Sequence, residues 1–147
     1  MATVFDVARY ILRQLGEDNK LPVTTWKLQK LVYYSQAWSL VWEDAPIFPE
    51  RIRAWANGPV CPELYALHRG QFQISDINQG NPDALTLPEK ETVDVVLKHY
   101  GTKSAQYLSE LTHSERPWAE ARGGLSPGER GDQEITLDAM AEYYGSL

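Results

Sequence analysis

The 147-residue sequence contains one cysteine, Cys61, and three widely separated histidines, His68, His99 and His113. A single cysteine allows neither an intramolecular disulfide nor a cysteine-based metal cluster, which favours a reducing compartment. The histidines lack the spacing of a His-Glu-x-x-His zinc helix. We therefore expect no metal site and no cofactor.

Long apolar runs are also missing. No segment approaches the roughly 20 consecutive apolar residues that cross a bilayer, and the N-terminus lacks the basic-then-apolar pattern of a secretory signal. The sequence therefore predicts a cytoplasmic protein without a membrane partner. The length suits one domain with its own core, and we expect residues 1–147 to form it.

Recognisable catalytic and nucleotide-binding motifs are absent as well. The glycines of residues 123–131 lack the preceding strand and the Lys-Ser/Thr ending of a phosphate loop, and their composition predicts a mobile loop. Cys61 with His68, and the run His113-Ser114-Glu115, contain residue types of nucleophilic sites without an orienting third group in view. We predict no catalytic residues and no enzymatic activity, and a cryptic hydrolase using Cys61 or His113 stays as an alternative.

Acidic side chains outnumber basic ones, giving a net charge of −6. Residues 1–70 carry 8 basic and 7 acidic side chains, whereas residues 71–147 carry 6 and 13. An acidic surface repels the phosphate backbone of nucleic acids and favours a basic protein partner. A nucleic-acid regulator, the less favoured alternative, would need a local basic face, for which the candidates are Arg9, Arg13, Lys27, Lys30, Arg51 and Arg53.

Apolar periodicity predicts several helices. The first spans Val4 to Leu15, with Thr3 as its cap and Gly16 at its end. A central helix follows at about residues 25–42, apolar on two sides. Its narrow polar stripe consists of Gln29, Gln36 and Glu43, and the stems of Lys27 and Lys30 are expected to carry their charges to water.

The pattern changes after the central helix. Alternation near residues 47–57 predicts a short strand or hairpin, and Asn57-Gly58-Pro59 a turn. Residues 71–86 are predicted to be an irregular connection. A helix from Glu63 to about Arg69 precedes them. The helices predicted after them begin after Pro88 and end at Gly101, run from Ser104 to Leu111, and start at the cap Thr136, with a helical segment at Trp118 to Arg122. The fold class is mainly α (α+β): a compact single-domain helical bundle around the central helix.

Three short motifs mix aromatic bulk, polar groups and backbone constraint. They are Lys27-Leu28-Gln29-Lys30-Leu31-Val32-Tyr33-Tyr34, Ala54-Trp55-Ala56-Asn57-Gly58-Pro59-Val60, and Leu111-Thr112-His113-Ser114-Glu115-Arg116-Pro117-Trp118. In this order they closely resemble the SocA-like antitoxin domain, also called Panacea and met in GepA-like phage-associated proteins. The resemblance covers nearly the whole chain. We treat nine motif residues as structural: Lys27, Gln29, Lys30, Tyr33, Gly58, Pro59, His113, Pro117 and Trp118.

The resemblance implies a bacterial or prophage antitoxin that neutralises a cognate toxin by direct protein contact. In this family the domain is paired with unrelated toxins, including alarmone-synthetase-like enzymes that inhibit translation. One member serves as an adaptor that delivers its partner to a AAA+ protease, which is the alternative route here. Some relatives carry an added DNA-binding domain, and residues 1–147 are not expected to contain one.

Partner contacts are expected on aromatic and acidic positions outside the helical framework. Trp55 is either a core residue under a flanking helix or an interface anchor, because large aromatic side chains serve both purposes. An acidic face would attract a toxin whose substrate site is basic. The predicted partner-contact residues are Trp55, Asn57, Tyr65, Glu115, Glu120 and Glu129, together with the connection at residues 71–86.

Overall fold

The computed structural model describes residues 1–19 and 22–147. Within these residues it contains seven α-helices, five short strands and one 3₁₀ turn at Pro82–Ala84. The helices are α1 (Val4–Asn19), α2 (Thr25–Trp42), α3 (Pro62–His68), α4 (Leu87–Tyr100), α5 (Ala105–Ser114), α6 (Arg116–Arg122) and α7 (Leu137–Gly145). The strands are β1 (Val23–Thr24), β2 (Ile52–Trp55), β3 (Gly58–Val60), β4 (Gln73–Ile74) and β5 (Glu134–Ile135). The predicted mainly α (α+β) class is confirmed. No helix among the described residues has the length and apolar character needed to cross a membrane.

Helix α2 is the centre of the fold, as its two apolar sides predicted. It begins where the Thr24 side chain accepts a hydrogen bond from the Lys27 amide at 3.1 Å and so caps the helix. Helices α1, α4, α5 and α7 and strand β3 pack around it. Most of its residues are buried, which explains why α2 shows no single polar face.

Of the polar stripe predicted on α2, Gln29 and Gln36 are buried, whereas Glu43 is exposed at the C-terminal cap of the helix. Gln29 and Gln36 are both 1% exposed, and each amide fixes a neighbouring segment to the helix. Gln36 accepts from the Ile47 amide and donates to the Phe48 carbonyl, both at 2.8 Å. Buried amides must find hydrogen-bond partners, and these lie in loops distant in sequence.

Strands β2 and β3 form the predicted hairpin, which β5 extends to the order β3-β2-β5. The turn is Ala56-Asn57, whereas Gly58 and Pro59 pair with Trp55 and Ala54 inside β3, so the predicted turn was displaced. Proline can occupy β3 because it is an edge strand, where a missing amide hydrogen costs no interior pairing. The connection at residues 71–86, predicted to be irregular, contains β4, which pairs with β1, and the 3₁₀ turn.

Side-chain caps define the remaining helices. Thr86 and Glu89 form a reciprocal capping box at α4, Ser104 caps α5, and Thr136 caps α7 as predicted. Helix α1 continues past Gly16 to Asn19, so the predicted stop was wrong. A glycine inside a helix costs only about 1 kcal/mol, and flanking helical contacts outweigh that cost.

Candidate functional site

A cleft with aromatic walls opens at the N-terminal end of α2. Its volume is about 630 Å³. We call it the aromatic cleft, and its lining residues are Trp26, Trp55, Ala56, Asn57, Tyr65, Arg130, Gly131 and Asp132. They come from the start of α2, the β2–β3 hairpin, α3 and the segment before β5, so the fold brings four distant parts of the chain together here.

Three half-buried aromatic side chains form the walls. The Trp55 and Tyr65 rings meet edge to face with centroids 5.0 Å apart, and the Trp26 and Tyr65 centroids are 6.3 Å apart. The Trp55 indole Nε1 donates to Asp132 Oδ1 at 2.9 Å. Each ring thus packs on one side and remains accessible on the other, which is the usual state of aromatic interface anchors before binding.

A buried lysine lies behind the cleft. Lys30 is only 1% exposed, and its Nζ lies 5.7 Å from the centroid of the Trp26 ring. No carboxylate pairs with it and no hydrogen bond reaches its Nζ among residues 1–19 and 22–147. Burial lowers the pKa of Lys30 to about 8. The prediction that this stem carries its charge to water was therefore wrong, because the side of α2 that carries Lys30 is buried.

Lys27, one turn earlier on α2, differs from Lys30. Its Nζ donates to the Gly101 carbonyl at 2.6 Å, at the end of α4. Burial lowers the pKa of Lys27 from its usual value. Lys27 thus ties α2 to α4 and does not reach the cleft.

The third motif packs against the hairpin. The His113 imidazole stacks on the Trp118 indole with centroids 3.9 Å and planes 8° apart, and the Trp118 Nε1 donates to the Trp55 carbonyl at 2.8 Å. Pro117 is buried in the first turn of α6. The three motifs therefore meet in one region, where the Trp118 indole bonds to the backbone of the second motif.

His113 keeps one unsatisfied atom. Its Nε2 is the buried side-chain polar atom that lacks a hydrogen-bond partner among the described residues. Burial first, and then the positive charge of Lys30, hold the pKa of His113 below its usual value, while the Asn57 backbone acts in the opposite direction. Lys30 and His113 thus share one electrostatic environment behind the hairpin.

Arg122 joins α6 and the following loop to strand β2, and sequence reasoning missed it. The side chain is 3% exposed and donates to the carbonyls of Ala54 (3.1 Å), Ser126 (3.1 Å) and Glu129 (2.6 Å). Its guanidinium lies 5.2 Å from the centroid of the Trp118 ring. The loop at residues 123–131, predicted from composition to be mobile, is therefore anchored to β2 through a buried arginine.

Glu115 is not on the acidic surface that the charge distribution suggested. It is 7% exposed, and its Oε1 accepts hydrogen bonds from the Tyr34 and Tyr144 hydroxyls, both at 2.7 Å. The Tyr33 and Tyr144 hydroxyls are 3.0 Å apart, so Tyr33 joins the same network. Burial raises the pKa of Glu115, and the two hydroxyls oppose that shift. Glu115 is thus a core acceptor, and the surface-charge argument for it is corrected.

The other predicted contact residues are accessible. Asn57 is exposed at the hairpin turn, and Trp55 and Tyr65 are half-buried walls of the cleft. Glu120 and Glu129 are exposed on α6 and the following loop, where the Glu129 carboxylate accepts from the Ser126 amide at 2.9 Å. Trp55, Asn57 and Tyr65 therefore lie together, apart from Glu115.

The groups considered for hydrolysis are engaged elsewhere. Cys61 is fully buried, its Sγ donates to Glu63 Oε2 at 3.2 Å, and burial raises its pKa to about 12, which disfavours the nucleophilic thiolate. The Nε2 atoms of His68 and Gln29 are 2.9 Å apart, so Gln29 is the hydrogen-bond partner of that imidazole. Within the described residues no group of three or more His, Cys, Asp or Glu side chains is placed to hold a metal ion.

The basic residues proposed for nucleic-acid binding do not form a free basic face. Arg9 pairs with Asp76 at 3.0 Å, and Arg13 pairs with Asp83 at 3.1 Å. The third pair joins Arg51 to Glu134 at 2.9 Å. Lys27 is bonded to a carbonyl, Lys30 is buried, and Arg53 Nη1 donates to the Asp132 carbonyl at 3.4 Å, which disfavours that alternative.

Fold and site together define a small α+β protein with a buried central helix and an aromatic cleft beside its N-terminus. A family model described as "Antitoxin SocA-like, Panacea domain" matches residues 28–119, more than half of the chain, and the chain belongs to this family. No curated protein and no solved structure gives a significant match. The resemblance inferred from the three motifs is confirmed, and membership supports a general antitoxin role.

Proposed function

We propose that this protein is a cytoplasmic antitoxin that neutralises a cognate protein toxin by binding it directly through the aromatic cleft. The family match supports the antitoxin role. The observation that carries the proposed surface is the group of accessible aromatic walls, Trp26, Trp55 and Tyr65, around a cleft of about 630 Å³. Such amphipathic rings dominate the binding free energy of protein interfaces. Residues 1–147 act as one unit in this proposal.

The toxin is proposed to be a translation inhibitor, of which an alarmone-synthetase-like enzyme is one type. An enzyme that binds nucleotides or RNA has a basic substrate site, and the net charge of −6 favours association with it. Exposed Glu120 and Glu129 are the residues through which this attraction is tested. Their reversal to lysine should slow association with the toxin, and the effect should shrink as salt is added.

The test is coexpression with the product of the adjacent gene. We expect that product to arrest growth alone, and growth to resume when this protein is present and forms a stable complex with it. Delivery to a AAA+ protease is distinguished in the same experiment, because neutralisation would then disappear in a host without that protease while the complex persists. A neighbouring product that never affects growth would contradict the antitoxin proposal.

A further inference from the structure

The region behind the aromatic cleft contains a positive charge that the protein does not balance. Lys30 is only 1% exposed. The three ion pairs among the described residues all involve other side chains. Burying an ammonium group without an anion is unfavourable. The cost is visible in the lowered pKa of Lys30, for which burial is the cause.

The position of the ammonium group relates it to the cleft. Its Nζ lies 5.7 Å from the centroid of the Trp26 ring, which is one wall of the cleft, and it is close to Gly58, which follows the lining residue Asn57. A Cβ added at residue 58 would lie 3.4 Å from the Lys30 Nζ and 3.5 Å from the Thr112 Oγ1. Glycine therefore leaves the space that the ammonium group occupies next to the cleft.

A buried polar atom of His113 in this region lacks a hydrogen-bond partner within residues 1–19 and 22–147. The His113 Nε2 is buried without a hydrogen-bond partner among the described residues, and the charge of Lys30 acts on its ring. An anion beside Lys30 would offset that charge and would thereby favour the protonated form of His113, whose Nε2 is a hydrogen-bond donor. Arg122, the other cation that acts on His113, has its guanidinium occupied by backbone carbonyls.

We propose that Lys30, assisted by His113, forms an anion-binding site behind the aromatic cleft that receives an Asp or Glu side chain of the protein partner. This inference rests on the proposed antitoxin function. One carboxylate balances one ammonium, and the aromatic walls suit the carbon stem of an inserted side chain. A polyphosphate is disfavoured because the whole protein carries a charge of −6.

The first experiment compares Lys30→Met with Lys27→Met, which removes the same charge one turn away on the same helix. For Lys30→Met we expect an unchanged or higher midpoint of thermal unfolding, because an unbalanced buried charge is removed. We also expect roughly tenfold or greater weakening of the toxin complex, since a charge-assisted hydrogen bond is lost. Lys27→Met should bind the toxin within about threefold of the original protein.

Binding of Lys30→Met that equals the original protein would overturn the anion site and leave the antitoxin proposal intact. Failure of the original protein itself to bind would instead overturn the proposed function. If Lys30→Met does not fold, a second measurement on the original protein still tests the site. The Lys30 Cε resonance of the original protein is titrated free and in the complex: a raised pKa on binding is expected, and an unchanged pKa would contradict the site.

Discussion

Gly58 lies against Lys30 so closely that a Cβ added to the glycine would be 3.1 Å from the lysine Cε. The φ angle of Gly58 is +127°, which side chains of L-residues rarely adopt. This contact joins the second of the three sequence motifs to the first, because one belongs to the β2–β3 hairpin and the other to α2. Backbone geometry and side-chain packing therefore require glycine at the same position.

Replacing Gly58 with alanine should destabilise the protein by about 2–4 kcal/mol, from the strained φ and the crowded lysine stem together. The measurement is urea unfolding followed by tryptophan fluorescence. Gly124→Ala is the matched control, because no heavy atom lies within 4 Å of a Cβ there. That variant should change the free energy of unfolding by about 0.5 kcal/mol or less. Equal effects of the two substitutions would refute the packing role of Gly58.

Glu115 should tolerate glutamine but not alanine. Glutamine retains an oxygen acceptor for the Tyr34 and Tyr144 hydroxyls and removes a buried charge. The free energy of unfolding of Glu115→Gln should therefore lie within about 1 kcal/mol of that of the original protein. Alanine leaves both hydroxyls without that acceptor and should cost about 2–4 kcal/mol. A glutamine variant as unstable as the alanine variant would show that the charge itself is required.

The pKa of Glu115 also sets the direction of a pH effect. Because burial raises that pKa in the folded state, the folded protein holds the proton longer than the unfolded chain as pH rises. Protonated Glu115 therefore adds to the free energy of unfolding below the usual glutamate pKa. This contribution is lost as the pH rises through the pKa that Glu115 has in the folded protein. Glu115→Gln should lack this component when the two proteins are compared by unfolding at several acidic pH values.

Arg122 should prove essential for anchoring the loop at residues 123–131. Arg122→Lys removes the planar guanidinium that reaches three carbonyls and lies against Trp118, so we expect a loss of about 2–4 kcal/mol. Hydrogen exchange of the loop amides should accelerate in the same variant. Arg116→Lys, at an exposed position, is the control and should leave loop exchange unchanged. Unaltered loop exchange in Arg122→Lys would contradict the anchoring role.

Lys30 predicts a stability change at alkaline pH. Its folded pKa is about 8, below the unfolded value of 10.5, so between these values the unfolded chain binds the proton that the folded protein has lost. The free energy of unfolding of the original protein should therefore rise with pH relative to Lys30→Met, by up to about 1.4 kcal/mol per pH unit. Parallel stability curves for the two proteins from pH 7 to about pH 10 would show that Lys30 titrates normally.

Local signals in the sequence predicted the helical framework well. Thr24 and Thr136 satisfy free amides within their own helices, so those helix starts follow from neighbouring residues alone. The hairpin was also predictable in position, although its turn is Ala56-Asn57 and not the predicted Asn57-Gly58-Pro59. Strand β5 escaped prediction because its two residues are defined only by pairing with β2, which is distant in sequence.

The site was less predictable because its chemistry depends on tertiary burial. Gln29, Lys30 and Glu115 are polar in sequence yet buried in the fold, and no periodicity distinguishes a buried polar residue with a distant partner from an exposed one. Arg122 gave no signal since its acceptors are backbone carbonyls. Trp55 and Tyr65 were proposed as contact residues from residue type, whereas their shared cleft could be seen only in the structure.

The most direct test of toxin binding at the aromatic cleft compares two variants, Trp55→Ala and Trp42→Ala. The dissociation constant of the toxin complex is measured for each. Trp42 is 45% exposed at the opposite end of α2, where it stacks on Trp38, so it controls for the loss of an accessible indole. We expect Trp55→Ala, with its fold verified by circular dichroism, to weaken the complex by roughly 30-fold or more, in line with a hot-spot residue. Trp42→Ala should bind like the original protein. Equal affinities of the two variants for the toxin would contradict binding through the cleft.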